Sequence, residues 1–327
     1  MSLSRFPVIL IMLLSFMGQA HALETDNYLS WELELKDSSP HINTFIKDTI
    51  SSEIEVINQS RHKLGCLDVT KRIASHFESH LVHDNPVENW LMSKLSQDAG
   101  EIYPQDRNYV DISIYRNPYQ VYIPYFGLAP NIQVGGFYFG TDKLSHFAST
   151  GMIYFERYQQ GLKNGHSETQ ALAHAVDWGL ADENMVHGYW ASGIFSFADL
   201  EANYQGLRFY KRICADRNNS YLAQDNNGNW GWSTSRSFDI ADYINGNWDE
   251  TYLPSHFKAG NWEKIAPILK AEYCPKIKSP KVESRMNYYR ENTSDSDSMK
   301  YIQSLQDAAD KRLPSKLAQA AFTILCR

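Results

Sequence analysis

Three pairs of polar side chains stand out in this sequence, each pair spaced by four residues: Asp142 with His146, Glu183 with His187, and Asp199 with Asn203. On a helix that spacing places both members of a pair on one face. If three successive helices packed together, the pairs would converge. Asp142, His146, Glu183, His187 and Asp199 are therefore candidate catalytic residues, with Asn203 a candidate substrate-binding amide beside them. Two imidazoles with two or three carboxylates suit Zn, Mn or Fe. A divalent metal would draw on His146, His187, Asp142 and Glu183, as helical metalloproteins draw on inward-facing side chains. Without a metal, the same groups could do general acid–base work, one carboxyl raised by burial and another kept ionised. The spacing is not that of HExxH, and no nucleophile elbow, P-loop or dinucleotide fingerprint occurs. Ser192 lies in Ala191-Ser192-Gly193-Ile194, outside a GxSxG frame.

The elements that must position these groups lie between Gly140 and Cys214. A first helix is predicted from Thr141, its N-cap. Its apolar stripe is Leu144, Phe147, Ala148, Gly151 and Phe155. Asp142, His146, Ser149 and Ile153 occupy the opposite side, which carries too little charge for a solvent face, so the helix is expected to be buried nearly all round. A second helix opens on the capping box Ser167-Glu168-Thr169-Gln170. Val176, Leu180, Glu183 and His187 share one face if it continues to His187, and His174 points away to the surface. A third starts at Ser196, with Asp199 completing a capping-box pattern that could by itself explain Asp199. Asp199, Ala202, Asn203, Gly206, Phe209, Tyr210 and Ile213 share its broad face. Glu201, Gln205 and Arg208 read as a solvated ladder on the other, so Glu201 is expected to point away from the site.

Ahead of this core, helical spacing of Ile42, Phe45, Ile46, Thr49, Ile50, Ile54 and Ile57 predicts a helix to about Arg61. Others are predicted from Leu67 to Leu81 and from Pro86 to Leu95. His76, His80 and His83 have the spacing of metal ligands, but the neighbours Lys71, Arg72, Ser75 and Ser79 describe a solvated face. From about 100 to 139, Tyr109–Tyr115 alternates and Val121–Phe126 is rich in strand formers, while Pro118, Pro124 and Pro130 confine it to short or edge strands. Val134–Gly140 reads as a turn and strand.

After Cys214 the chain is loop-like to about Asn261. Trp230 and Trp232, in a turn sequence rich in Asn and Gly, are candidate substrate-binding residues, since indoles stack on sugar rings. The same indoles could instead pin long loops to the core. A short helix is expected over Trp262–Glu272, interrupted near Pro267, then a polar stretch over Lys276–Ser298 and closing helices over Met299–Arg312 and Ser315–Cys326. The fold class is thus mainly α, a helical core on three central helices with a small β or extended region. The chain divides into 1–22, an N-terminal helical region 23–99, the extended segment and core 100–214, and a Trp/Asn-rich and helical part 215–327, the last three forming one globular unit.

Arg5, the apolar run Phe6–Met17 and the small-x-small Ala20-His21-Ala22 form a signal-peptide pattern. The run is too short for a spanning helix, and the mature chain is expected to start at Leu23. Loss of Arg5 takes the net charge from −7 to −8. Without a basic run or a later apolar segment of spanning length, neither nucleic acid nor a transmembrane anchor in the mature chain is expected. Cys66, Cys214, Cys274 and Cys326 form no CxxC motif. In an oxidising compartment they suggest two disulfides, with Cys214–Cys274 the expected pair because it brackets the irregular Trp-rich segment.

The phrases Gly140-Thr141-Asp142-Lys143-Leu144-Ser145-His146-Phe147 and Phe195-Ser196-Phe197-Ala198-Asp199-Leu200-Glu201-Ala202-Asn203 resemble those of a family of exported bacterial proteins of unknown function. The resemblance covers about a quarter of the chain, by the span of the motifs. It implies a periplasmic, Gram-negative setting and supplies no activity. Two functions are open at this level. The favoured one is a periplasmic hydrolase, metal-dependent or not, acting on glycan, peptidoglycan or a lipid-linked substrate. The other is a non-catalytic structural or glycan-binding envelope protein with a buried polar network.

Overall fold

The computed structural model describes residues 24–78, 85–116, 127–185, 188–190, 192–216, 219–314 and 326. The signal-peptide pattern, His80, His83, Val121–Phe126, His187 and the closing helix before Cys326 lie outside these residues. Among the described ones the chain is mainly helical, with a few short strands.

The chain enters as β1 (Glu24–Thr25) and then forms α1 (Ser39–Gln59), which starts with a proline in its first turn. The stripe Ile42, Ile46, Ile50, Ile54 and Ile57 is buried as its spacing predicts. α2 (Cys66–Ala74) and α3 (Pro86–Lys94) follow, the latter capped by Asn85, whose side chain accepts from the Val87 and Glu88 amides. α2 stops well short of Leu81. His76 instead turns to Glu53, 2.8 Å away, which Arg72 also binds.

The alternating Tyr109–Tyr115 stretch is not a strand: Val110–Ile112 forms a 3-10 turn and buries Tyr109, Ile114 and Tyr115 in a satellite core with Tyr28 and Trp31. Alternation signals a strand only where a partner strand is available, and here side-chain burial in a turn fulfils the same pattern. β2 (Leu128–Ala129) pairs in parallel with β1, and β3 (Asn131–Val134) with β4 (Phe137–Gly140) makes an antiparallel hairpin across Gly135 and Gly136, both at positive φ.

The hairpin feeds the central helices. α4 runs through Asp142–Ser145, a π-turn at His146–Thr150 and on through Gly151–Lys163. α5 (Glu168–Asn184) opens with the predicted capping box, and His174 is exposed. β5 (Ile194–Phe195) leads to α6 (Phe197–Cys214), capped by Ser196. α4 packs most extensively on α5 and α6. Gly151 and Gly206 let α4 and α6 touch backbone to backbone; a methyl group added at Gly206 would lie 2.0 Å from the Phe147 carbonyl oxygen.

Beyond α6, β6 (Leu222–Gln224) and β7 (Trp230–Trp232) form a hairpin laid on α1. β8 (His256–Phe257) pairs with β5. α7 (Ala259–Ile268) carries Pro267 near its end and gives way to a π-turn over Leu269–Tyr273. α8 (Pro280–Asn292) occupies the polar stretch that sequence reading left without an element, and α9 (Asp297–Asp307) follows. One hydrophobic cluster runs from Ile42 to Leu313 through all three central helices.

The cysteines pair as Cys66–Cys214 and Cys274–Cys326, not as Cys214–Cys274. α2 packs against α6, and this brings the first residue of α2 to the last of α6, with Cα atoms 5.6 Å apart. The Trp-rich segment needs no covalent closure, because its own hydrogen bonds hold it to α1.

Candidate functional site

A lysine stands at the centre of the site. Lys143 is fully buried, and its Nζ lies 2.6 Å from each of three carboxylates: Asp142 Oδ2, Asp199 Oδ1 and Glu250 Oε1. The ammonium donates hydrogen bonds to Asp142 and Glu250, and Asp199 completes the cage as an ion pair. Ligand atoms of the three acids lie within 4.8 Å of one another, a spacing that could also hold a cation, but the ammonium fills the position such an ion would take.

The helices aim these groups for local reasons. Thr141 does not cap α4 with its side chain. Its hydroxyl donates to Glu88 of α3, as does that of Ser145, at 2.9 and 2.8 Å, clamping the first turn of α4 against α3. At the start of α6, Ser196 accepts from the Asp199 amide, but the Asp199 side chain does not reach back to complete a capping box. The Ser196 amide donates to Glu183 Oε1 at 2.7 Å instead, leaving the Asp199 carboxylate free for Lys143 and His146. The Ser196 hydroxyl also donates to Glu250 Oε1 at 3.0 Å. Glu250 follows the turn that buries Trp248, and its amide donates to Asn27 beyond β1.

His146 opens the π-turn of α4, which rotates its ring toward α6. Its Nε2 is 3.1 Å from Asp199 Oδ2 and its Nδ1 3.1 Å from Asn203 Oδ1. Both partners are acceptors, so the ring is best satisfied with a proton on each nitrogen. Burial opposes that charge, but the Asp199 carboxylate outweighs it and the pKa of His146 is raised. Lys143 follows the same logic: burial works against the ammonium, and Asp142, Asp199 and Glu250 overcome it to hold its pKa well above the ordinary value. For Asp199, burial is outweighed by His146 and Lys143, and its carboxyl sits far below the usual range. Asp142 goes the other way, to about 7, because burial outweighs Lys143 and the neighbouring Asp199 and Glu250 add repulsion. Burial, with Asp199 nearby, lifts Glu183 well above its normal value. Half-buried Glu24 is lifted by burial and by Glu250 and Asp199, while the Ser192 side chain bonds it.

The structure therefore brings Asp142, His146, Asp199 and Asn203 into one network and sets Glu183 beside it through Ser196. α5 ends at Asn184, so the face shared by Glu183 and His187 is not continued by helix, and His187 lies outside the described residues. Lys143, Glu250, Ser196 and Glu24 were not found by sequence reasoning. The signal for Lys143 was its place between Asp142 and His146 inside a buried helix; nothing local marks Glu250 or Glu24.

Glu201 points away from the Lys143 network as expected, but its surroundings depart from expectation. It is fully buried, not solvated, and so is Gln205 almost entirely. Its carboxylate accepts from Gln205 and Asn245 at 2.6 and 2.8 Å and from Ser296 at 2.5 Å, with burial raising its pKa. The ladder faces the Asn245 turn and the N-cap of α9, which supply the hydrogen bonds that water would. Trp230 and Trp232 sit away from the central network: their indole nitrogens donate to the Leu64 carbonyl and the Ser51 hydroxyl, at 3.1 and 2.9 Å, and fasten the hairpin to the segment after α1 and to α1 itself. Trp230 is buried and Trp232 partly exposed.

A pH dependence follows from these shifts. Asp142, Glu183 and Glu24 have folded pKa values raised above the unfolded ones, as do Asp26, to about 7, and Asp249, to about 6, both chiefly through burial. Each contributes stability that is complete below its unfolded pKa and lost as pH rises through its folded one. Raised His146 acts in the same direction, while depressed Asp199 is lost only in strong acid. The urea midpoint is expected to be higher at pH 5 than at pH 8, by a stability difference on the order of 2 kcal/mol. An equal or rising midpoint from pH 5 to 8 would contradict these assignments.

No protein-family model, curated protein or solved structure matches the chain.

Proposed function

We propose that this is a non-catalytic protein of the bacterial cell envelope whose central motif residues lock its helical core. The observation that carries this is the Lys143 ammonium at 2.6 Å from three carboxylates, in the place a catalytic metal would need. The imidazole of His146 has both nitrogens engaged, which leaves neither free to take a proton from water. Export to the periplasm is supported by the signal-peptide pattern and by two disulfides, which persist in oxidising compartments. No helix among the described residues is long and apolar enough to cross a membrane.

One observation favours the hydrolase reading. Burial lifts the Glu183 carboxyl above its ordinary value while His146 and Lys143 hold that of Asp199 below its own, a separation of the kind acid–base catalysis uses. Under that reading the substrate is an envelope glycan, peptidoglycan or lipid-linked molecule. Two measurements separate the readings. Calorimetric titration of Zn, Mn or Fe(II) into chelator-treated mature protein is expected to give no stoichiometric binding. A tight one-to-one site lost in Asp142→Asn would overturn the proposal. So would turnover of isolated peptidoglycan that Glu183→Gln abolishes at an unchanged melting temperature.

A further inference from the structure

Outside the central network, a cleft of about 640 Å³ opens between α5, α6 and α9. Its size lies within the range of small-ligand sites. Arg208 and Arg212 line it from successive turns of α6, and Lys211 and Lys300 from its sides. Both guanidiniums lie over the ring of Tyr243, at 5.8 and 5.4 Å from its centre. Like charges four residues apart on a helix repel, and among the described residues neither arginine has a carboxylate within ion-pair distance, the buried Glu201 acting on Arg208 from further off. The acids of the cleft are placed elsewhere. Glu168 is bound by Lys211 at 2.9 Å and by the Tyr158 hydroxyl at 3.0 Å, Asp297 lies 3.6 Å from Lys300, and Asp216 stands at the rim. Arg208 donates to Gln205 at 2.6 Å. The Tyr221 and Tyr243 hydroxyls face the Arg212 guanidinium and fix its position.

From these two stacked guanidiniums, neither within ion-pair distance of a described carboxylate, we infer that the cleft binds a phosphorylated monosaccharide. A phosphate monoester offers several oxygens to two guanidiniums at once, which a single carboxylate does less well. The apolar and aromatic walls, Leu172, Leu207, Tyr204 and Tyr301, suit the face of a sugar ring. The cleft shares no residue with the Lys143 network, so the two assignments stand or fall separately.

The test is calorimetric titration of the mature protein with glucose 6-phosphate, glucose and inorganic phosphate. Saturable binding of glucose 6-phosphate is expected, weakened at least tenfold in Arg212→Gln and in Arg208→Gln at unchanged melting temperature, and partly kept in Arg212→Lys. Glucose is expected not to bind, and inorganic phosphate to bind more weakly than the sugar phosphate. Absence of binding by the wild-type protein, or binding untouched by both glutamine substitutions, would overturn the inference. Equal affinity for inorganic phosphate would overturn the sugar assignment.

Discussion

Lys143→Met is expected to destabilise the protein by about 4 kcal/mol at neutral pH, with the urea midpoint falling accordingly. Methionine reproduces the length of the side chain, so little packing is lost. What remains is three buried carboxylates with oxygens within 4.8 Å of one another and no ammonium between them. Removing one partner of a buried charge cluster leaves the rest uncompensated, which is worse than never having built it. Without the ammonium, Asp142, already raised by burial, is raised further, and Asp199 loses one of the two cations that hold it down. The contribution of Asp142 is then present in acid and lost as pH rises through its new folded value. The variant is therefore expected to be much closer to wild type at pH 5 than at pH 8. A Lys143→Met protein as stable as wild type at pH 8 would show that the ammonium is not what holds the cage.

Loss of the Cys66–Cys214 disulfide is the second large effect. It joins residues 148 apart in sequence. In the chain-entropy account, opening so long a loop costs about 5 kcal/mol, whereas Cys274–Cys326, spanning 52 residues, would cost about 4. Cys66→Ser/Cys214→Ser protein is expected to unfold at a markedly lower urea concentration than wild type, and reductant is expected to lower the wild-type midpoint in the same way. Peptide mapping without reduction checks the pairing; a Cys214–Cys274 peptide would contradict it. The covalent link also explains why α2 and α6 stay together although few residues of the short α2 are available to hold it.

How much of this was legible in the sequence depends on whether the signal was local. The α1 stripe, the Ser167 capping box and the fully enclosed start of α4 follow from spacing, because one element's own residues determine them. The convergence of Asp142, His146, Asp199 and Asn203 was also readable, since each pair lies on one turn of a helix that is otherwise apolar. Lys143 was not, because lysine is almost always exposed and only its acid partners make burial tolerable. One of those, Glu250, is 107 residues away and belongs to a turn with no helical pattern. The same distance problem hid the cysteine pairing. Glu201 was misread for a related reason: a polar ladder looks solvated until another loop, here the Asn245 turn, covers it. α8 escaped because its face is charged throughout and only Val282, Arg285 and Tyr289 are buried.

The central claim is that Lys143 serves as the counter-ion of Asp142, Asp199 and Glu250. It is tested most directly by urea unfolding at pH 8 of Lys143→Met beside Lys143→Met/Asp142→Asn/Glu250→Gln. Removing the charges that the ammonium neutralised is predicted to make the triple variant more stable than the single one, by at least about 1 kcal/mol, as coupled neighbours require. A triple variant no more stable than Lys143→Met would contradict the account.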